Sequence, residues 1–512
     1  MDRTFVIGID SSTTGCKAIA WDRHGRACAE GRAAYPLLQP AANWYEQDAE
    51  QWWRGTCAAL AQLLSQIDTG SVEAVCVTHQ RESFVPVDER GSPLRNAVLW
   101  LDQRSHAQVK ELKRSIGGER FHQITGKPLT TNPSVSKILW LVQHEPEVVD
   151  RTGKMLDAHA FLIRRLAAVN RTSLASADPM GLVDMRRHAW SAELIHEIGL
   201  AQGQFPELVP PGAIIGHVTK TGAAQTGLPA GLSVVAGAGD GQCAGLGVNA
   251  LGGGRVSLNL GTAVVSGTVN PGYLVDRAFR TLYAPLAGKF YLETVIQGGV
   301  FTVSWFLEKF ASDLSDASAP EGQLGVLEKE AAGVPPGALG LVLVPYWNNA
   351  LTPYWDPAAA GITIGWTGVH AREHFFRAVL EGLAFEQRLV GDGLAEAMGA
   401  PAREYVALGG GSRSDLLCQI AADVTGIPVL RATTSEATCL GAGILAATAV
   451  GWYSDAERAA CAMTSTDAVF APDAERHAFY DRLFQEVYRP LFPTLQGLIK
   501  RLTALNREQG RS

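Results

Sequence analysis

Residues 4–10 form a short apolar run rich in β-branched side chains, the pattern of a buried strand. A polar turn follows it, Ser11-Ser12-Thr13-Thr14-Gly15. Residues 17–22 predict a second strand, Arg23-His24-Gly25 a turn, and residues 26–34 a third strand. This meander differs from the strand–loop–helix unit of dinucleotide-binding and P-loop folds. Residues 48–66 have helical periodicity with Asp48 as the N-cap, and residues 73–78 predict another strand. Strands and helices in this order give an α/β class.

The second half restarts in the same way. Residues 255–260 predict a strand, Gly261-Thr262 a turn, and residues 263–268 a second strand. A true internal repeat and an unrelated hairpin both fit this echo. Residues 234–254 are rich in Gly and Ala, and a domain boundary is placed near their end. Residues 405–408 predict a strand that runs into Gly409-Gly410-Gly411-Ser412 and then a helix over residues 416–425. Residues 475–505 predict helix, interrupted around Pro490 and Pro493.

Length and composition narrow the picture. A chain of 512 residues exceeds one ordinary core, so two domains are expected, 1–250 and 251–485, with a helical tail over 486–512. Hydrophobic residues make up 46% and charged residues 19%, a globular balance. A net charge of −7 without a long basic run argues against nucleic acid or an acidic membrane as the main partner. No signal-peptide pattern opens the chain, and no apolar stretch reaches the ~20 residues of a membrane span. The eight cysteines form no CxxC pair, which fits buried, reduced thiols in a cytoplasmic protein.

Three features could carry chemistry. Asp10 ends a strand and precedes small, hydroxylated residues, as a metal-associated carboxylate beside a phosphate-binding turn would. An Asx-type turn cap fits the same residues. Lys17 adds a phosphate contact or a solvated strand-edge charge. Asp240, in Gly-Ala-Gly-Asp-Gly-Gln, suits a general base for phosphoryl transfer, and a solvated Asp in a glycine hinge suits the same segment. The Gly409–Gly411 loop fits a nucleotide held against backbone or a plain strand–helix connection.

Taken together, these motifs resemble the FGGY carbohydrate kinases. The resemblance rests on VIGIDSSTTG, the Asp in GAGDGQ, LNLGT and LGGGSRSD, with PSVSKILWL and HFFRAVLEG in the positions of that family's two signatures. It spans roughly residues 4–450 in the right order. The resemblance implies two actin-like (ribonuclease-H-like) domains with an ATP/substrate cleft between them. It implies ATP and Mg²⁺, Asp240 as catalytic base and Asp10 as the Mg²⁺-linked carboxylate. Thr13, Thr14 and Lys17 then lie on the phosphate side, Gly261 and Thr262 at a second phosphate turn, and Gly410, Gly411 and Ser414 in the adenosine loop. Gly441 and Gly443 fall in a hinge-proximal segment near the nucleotide. A homodimer is common in that family.

The acceptor side is mixed. Gln80-Arg81-Glu82 resembles the QRE stretch of glycerol kinases, although the whole looks closest to xylulose-kinase-like members. An Arg/Glu pair serves vicinal hydroxyls, and a structural ion pair is the plainer alternative. Trp100 either packs against a carbon skeleton or belongs to the core. Asn132 replaces an aromatic residue and Gly241 a larger amide, which predicts an enlarged, more polar pocket. The expected acceptor is a small sugar or polyol, D-xylulose foremost, with glycerol, another polyol or a sugar acid as alternatives. A non-catalytic nucleotide or sugar sensor and an actin-like ATPase are the rival classes.

Overall fold

The computed structural model of the chain describes residues 4–314, 322–347 and 349–508, with the side chains of 507 and 508 left aside. The opening meander forms one half of a six-stranded sheet, with its third strand at the edge. Strand β1 (Phe5–Ser11) pairs antiparallel with β2 (Gly15–Trp21), and β2 antiparallel with β3 (Ala27–Ala34). On its other side β1 runs parallel to β4 (Val72–His79). Strands β5 (Ile214–His217) and β6 (Ser233–Val235) complete the order β5-β6-β4-β1-β2-β3.

The second sheet contains β7 (Arg255–Leu260), β8 (Val264–Asn270), β9 (Arg280–Tyr283), β10 (Phe290–Ile296), β11 (Glu404–Leu408), β12 (Val429–Ala432) and β13 (Thr466–Phe470). Its order is β9-β10-β8-β7-β11-β12-β13. With β9 set aside, strand directions match one for one: β3-β2-β1-β4-β6-β5 against β10-β8-β7-β11-β12-β13. The echo read from the sequence is therefore one of strand order and direction.

Helices α1 (Ala49–Leu64), α2 (Ser134–His144), α3 (Asp240–Leu246), α4 (Arg372–Met398), α5 (Asp415–Thr425) and α6 (Ala437–Ala449) position the cleft. The Asp48 side chain caps α1 by accepting from the Glu50 N–H. Helix α6 lies in sequence between β12 and β13 of the second sheet but packs on β1 and β4 of the first. Glycines allow this approach. A Cβ on Gly8 would lie 2.0 Å from the Cys439 carbonyl oxygen, and one on Gly441 2.0 Å from that of Cys243 in α3. Gly443 lies against Trp21 in the same contact. Helices from both halves thus meet beneath the strand ends.

Strand β9 ties the halves together on the other side. Thr281 N donates to Gly126 O at 2.8 Å, and Tyr283 N to Asp178 Oδ2 at 2.9 Å. Lys127, buried and paired with Asp178 at 3.1 Å, also donates to the Thr281 carbonyl.

The C-terminal break falls elsewhere than at the prolines. Helix α7 (Ala474–Leu483) passes through a π turn (Phe484–Tyr488) into α8 (Arg489–Glu508), which contains both Pro490 and Pro493. In the π turn the Arg489 N–H bonds to the Phe484 carbonyl, so the ladder shifts there. Pro490 then sits in the first turn of α8, where a missing N–H costs least. No described helix is long and apolar enough to cross a membrane.

Candidate functional site

The β1–β2 hairpin places the first group. Asp10 stands opposite Lys17 in the antiparallel register. Its Oδ1 is enclosed and has no hydrogen-bond partner. Burial, reinforced by the charge of Asp240, pushes the Asp10 carboxyl up to about 7, with Lys17 opposing. The facing Lys17 is itself paired with Glu436, so a carboxylate with an unpartnered oxygen at Asp10 fits a divalent cation. Among the described residues no cluster of three or more His, Cys, Asp or Glu ligands exists. One carboxylate suits Mg²⁺, which keeps waters and phosphate oxygens as its other ligands.

The turn itself is braced from below. Ser12 N and Oγ both donate to Gly15 O, at 2.9 and 2.8 Å. Thr13 Oγ1 accepts from Trp100 Nε1 at 3.0 Å, and the Thr13 carbonyl accepts from Gln47 Nε2 at 2.6 Å. Thr14 is exposed at the tip. Gln80 is buried, and its amide bonds to Ser12 O, Gln47 Oε1 and Ser83 Oγ. It holds the turn rather than facing open space. Lys17 forms an ion pair with Glu436, the residue before α6, which also binds Arg32 at 3.3 Å.

The second turn, Gly261–Thr262, joins β7 to β8. Its two carbonyls accept from Val300 N and Phe301 N, each at 3.0 Å, in the first turn of the helix Gly299–Phe310. The Gly409–Gly411 loop lies on this turn. Gly409 has φ +81°, and a Cβ there would stand 2.4 Å from Asn259 Oδ1. A Cβ on Gly411 would meet Leu260 O at 2.9 Å, whereas one on Gly410 would meet nothing within 4 Å. The loop therefore offers bare backbone to open space. The Ser414 hydroxyl caps α5 by accepting from Leu417 N at 3.0 Å. Beside the loop is an open depression of about 600 Å³ lined by residues including Glu328, Arg413, Leu416 and Phe470.

Asp240 opens α3, with its carboxylate at the strand ends and its side chain 41% exposed. The loop before it needs glycine: a Cβ on Gly237 would sit 1.8 Å from Val77 O, and one on Gly239 2.4 Å from Arg81 Cδ. Gly237 N donates to His159 Nε2 at 3.2 Å. Burial and then His79 depress the His159 pKa, keeping the ring neutral and able to accept.

Arg81 reaches Asp240 Oδ1 through Nε at 2.9 Å. Its Nη1 binds Glu293 on β10, at 2.9 and 3.1 Å to the two oxygens. Arg280 on β9 joins Glu293 at 2.6 Å and Glu82 at 2.8 Å. Burial opposes the charge on Arg81, but Glu293, Asp240 and Glu82 outweigh it and raise its pKa. Burial likewise opposes ionisation of Glu293, yet Arg280 and Arg81 hold its carboxyl below the usual range. Glu82 has φ +55°, a left-handed conformation that is costly for a non-glycine residue. Asn132 lies half-buried before α2, its carbonyl accepting from the buried Lys137.

The first hairpin, the end of β4 and the start of α3 thus bring Asp10, Lys17, Arg81 and Asp240 into one charged group, with Trp100 anchored to it through Thr13. One expectation is corrected. Gly241 does not enlarge the pocket, because Glu293 and Arg81 occupy the space a side chain would fill. Sequence reasoning missed Glu293, Arg280 and Glu436. Glu293 did leave a signal, a single charge in the otherwise apolar or neutral run of β10, FYLETVI.

Residues 5–247 match the N-terminal domain, and residues 256–450 the C-terminal domain, of the FGGY family of carbohydrate kinases. A xylulose kinase of Bacillus subtilis is 29% identical, covering 96% of this chain and 98% of its own. A gluconokinase of Bacillus licheniformis is 28% identical over 98% and 96%. A glycerol kinase of Shewanella piezotolerans is 30% identical over 96% and 100%. The ligand-bound xylulose kinase structure from Lactobacillus acidophilus shares the fold, with a TM-score of 0.91 at 24% identity over 98% of this chain and 100% of that one.

Proposed function

Since the chain belongs to the FGGY family of carbohydrate kinases, ATP-dependent phosphotransferases acting on a sugar or polyol, we propose that its acceptor is D-xylulose. Residues 1–250 form the acceptor side and carry the first phosphate turn, residues 251–485 form the ATP side, and a tail that is helical over its described residues begins at 486. The choice of D-xylulose rests on the xylulose kinases among the relatives, and the Arg81–Asp240 contact at 2.9 Å, beside the strained Glu82 and the Asp10 hairpin, supports where the acceptor is placed.

In this reading, the acceptor lies against Arg81, Glu82, Trp100 and Asn132, with Gln80 bracing from behind. Asp240 orients one hydroxyl and takes its proton late in the transfer, as phosphoryl transfer requires little more than positioning and charge stabilisation. Thr13, Thr14, Lys17, Gly261 and Thr262 line the phosphate path, and their donors stabilise charge that develops there. Lys17 exchanges Glu436 for a phosphate oxygen when nucleotide binds. Gly410 and Gly411 offer backbone to the adenosine, with Ser414 fixing the helix behind them. Mg²⁺, when bound at Asp10, would offset phosphate charge. The shared base of α3 and α6 allows the two sheets to close over the cleft and exclude water.

A panel of acceptors in a coupled ADP-release assay tests the reading. D-xylulose should give the highest kcat/KM. Turnover of glycerol alone would overturn it.

A further inference from the structure

The charge balance around Glu293 deepens this reading, on which the inference rests, by restricting the class of acceptor. Glu293 is fully buried on β10, and its carboxylate binds both Arg81 and Arg280. Arg280 is also engaged by Glu82, and Arg81 by Asp240. Two guanidinium groups therefore face three carboxylates. The nearby buried Lys137 donates to the Thr131 and Asn132 carbonyls, and burial pushes its pKa down to about 8. Arg81, Arg280 and Lys137 thus already have partners, the two arginines in carboxylates and the lysine in two backbone carbonyls.

We propose that Glu293 and Arg280 are specificity-determining residues that admit an uncharged polyhydroxy acceptor and reject a sugar acid. An entering carboxylate would meet three carboxylates and would have to displace one from its arginine, at the cost of leaving a buried charge unpaired. A hydroxyl both donates and accepts, so it bridges an Arg–Glu pair without breaking it. Gly241 belongs to the same device. A Cβ there would stand 2.6 Å from Glu293 Oε2 and 3.0 Å from Arg81 Nη2. Position 241 is glycine because the carboxylate from the other sheet needs the space.

The test measures kcat/KM of the full-length chain for D-xylulose and for D-gluconate, with the KM for ATP and thermal melting alongside. The wild type should favour D-xylulose strongly. Glu293→Gln keeps the shape and removes one negative charge, so the gluconate-to-xylulose ratio should rise by about tenfold or more with the KM for ATP unchanged. Gly241→Ala should lower kcat/KM for D-xylulose by about tenfold, again without affecting the KM for ATP. Competition by D-gluconate against D-xylulose in the wild type gives a readout that needs no variant to fold, and none is expected. An unchanged ratio in folded Glu293→Gln, with the wild type still preferring D-xylulose, would overturn the inference alone, whereas preference of the wild type for D-gluconate would overturn the inference and the acceptor reading together. Turnover of glycerol alone would instead overturn the acceptor reading beneath it.

Discussion

The two central hairpins have the same topology and opposite chemical character. In the first, Ser11 pairs with Cys16 across a four-residue turn, and Asp10 and Lys17 face each other just behind it. In the second, Leu260 pairs with Val264 across a three-residue turn, and the residues behind it, Asn259 and Val265, carry no charge. The first turn is held by side chains: Tyr35, Gln47, Gln80 and Trp100 all bond to it. The second is held by a helix, its carbonyls capping Val300 and Phe301. One backbone plan thus serves two tasks. In the proposed reading the charged hairpin serves cation and transferred phosphate at the price of an enclosed carboxylate, and the neutral hairpin offers backbone and a hydroxyl.

The comparison is broken most severely at Asp10. Asp10→Asn should lower kcat by about 10³-fold, because it removes the only charge in the first hairpin suited to a cation. Steady-state kinetics at saturating Mg²⁺ measures this. A fall below tenfold would equate the two hairpins. At the second hairpin, Thr262→Ala should cost roughly tenfold in kcat/KM for ATP, the scale of one hydrogen bond to a charged group. Gly409→Ala places a Cβ 2.4 Å from Asn259 Oδ1 at φ +81°. It should destabilise the fold by about 1–3 kcal/mol in urea unfolding and raise the KM for ATP.

A smaller effect has the opposite sign. The Asp10 carboxyl rises from its ordinary value of 3.8 to about 7 in the ligand-free fold. A raised acid favours the folded state fully below pH 4, and that contribution is lost as pH climbs through 7. Asp10→Asn abolishes the loss. The variant should therefore melt about 2–4 °C above wild type at pH 8 without Mg²⁺ and match it near pH 4. Equal melting at both pH values would mean that Asp10 is not under electrostatic stress.

Local features were legible in the sequence. The β-branched runs, the hydroxylated turn and Asp48 before α1 are short-range patterns, and the structure has β1, β2, β3 and the cap where they predict them. The Pro490 segment was misjudged because a π turn upstream changes what a proline costs, and no local periodicity reports that turn. The charge pairs were invisible for a different reason. Arg81 meets Glu293 across 212 positions, and Lys17 meets Glu436 across 419. Only the crossing of α3 and α6 and the docking of β9 bring them together. The same distance explains the error at Gly241, where a missing side chain looked like free volume until the facing strand supplied an occupant.

The central claim is that Asp240 serves the acceptor hydroxyl rather than the nucleotide. Asp240→Asn tests it most directly, with turnover on D-xylulose and ATP affinity by titration calorimetry measured on the same preparation. Turnover should fall by about 10³-fold or more while the Kd for ATP stays within about twofold of wild type. Wild-type-like turnover, or loss of ATP binding in step with activity, would contradict it.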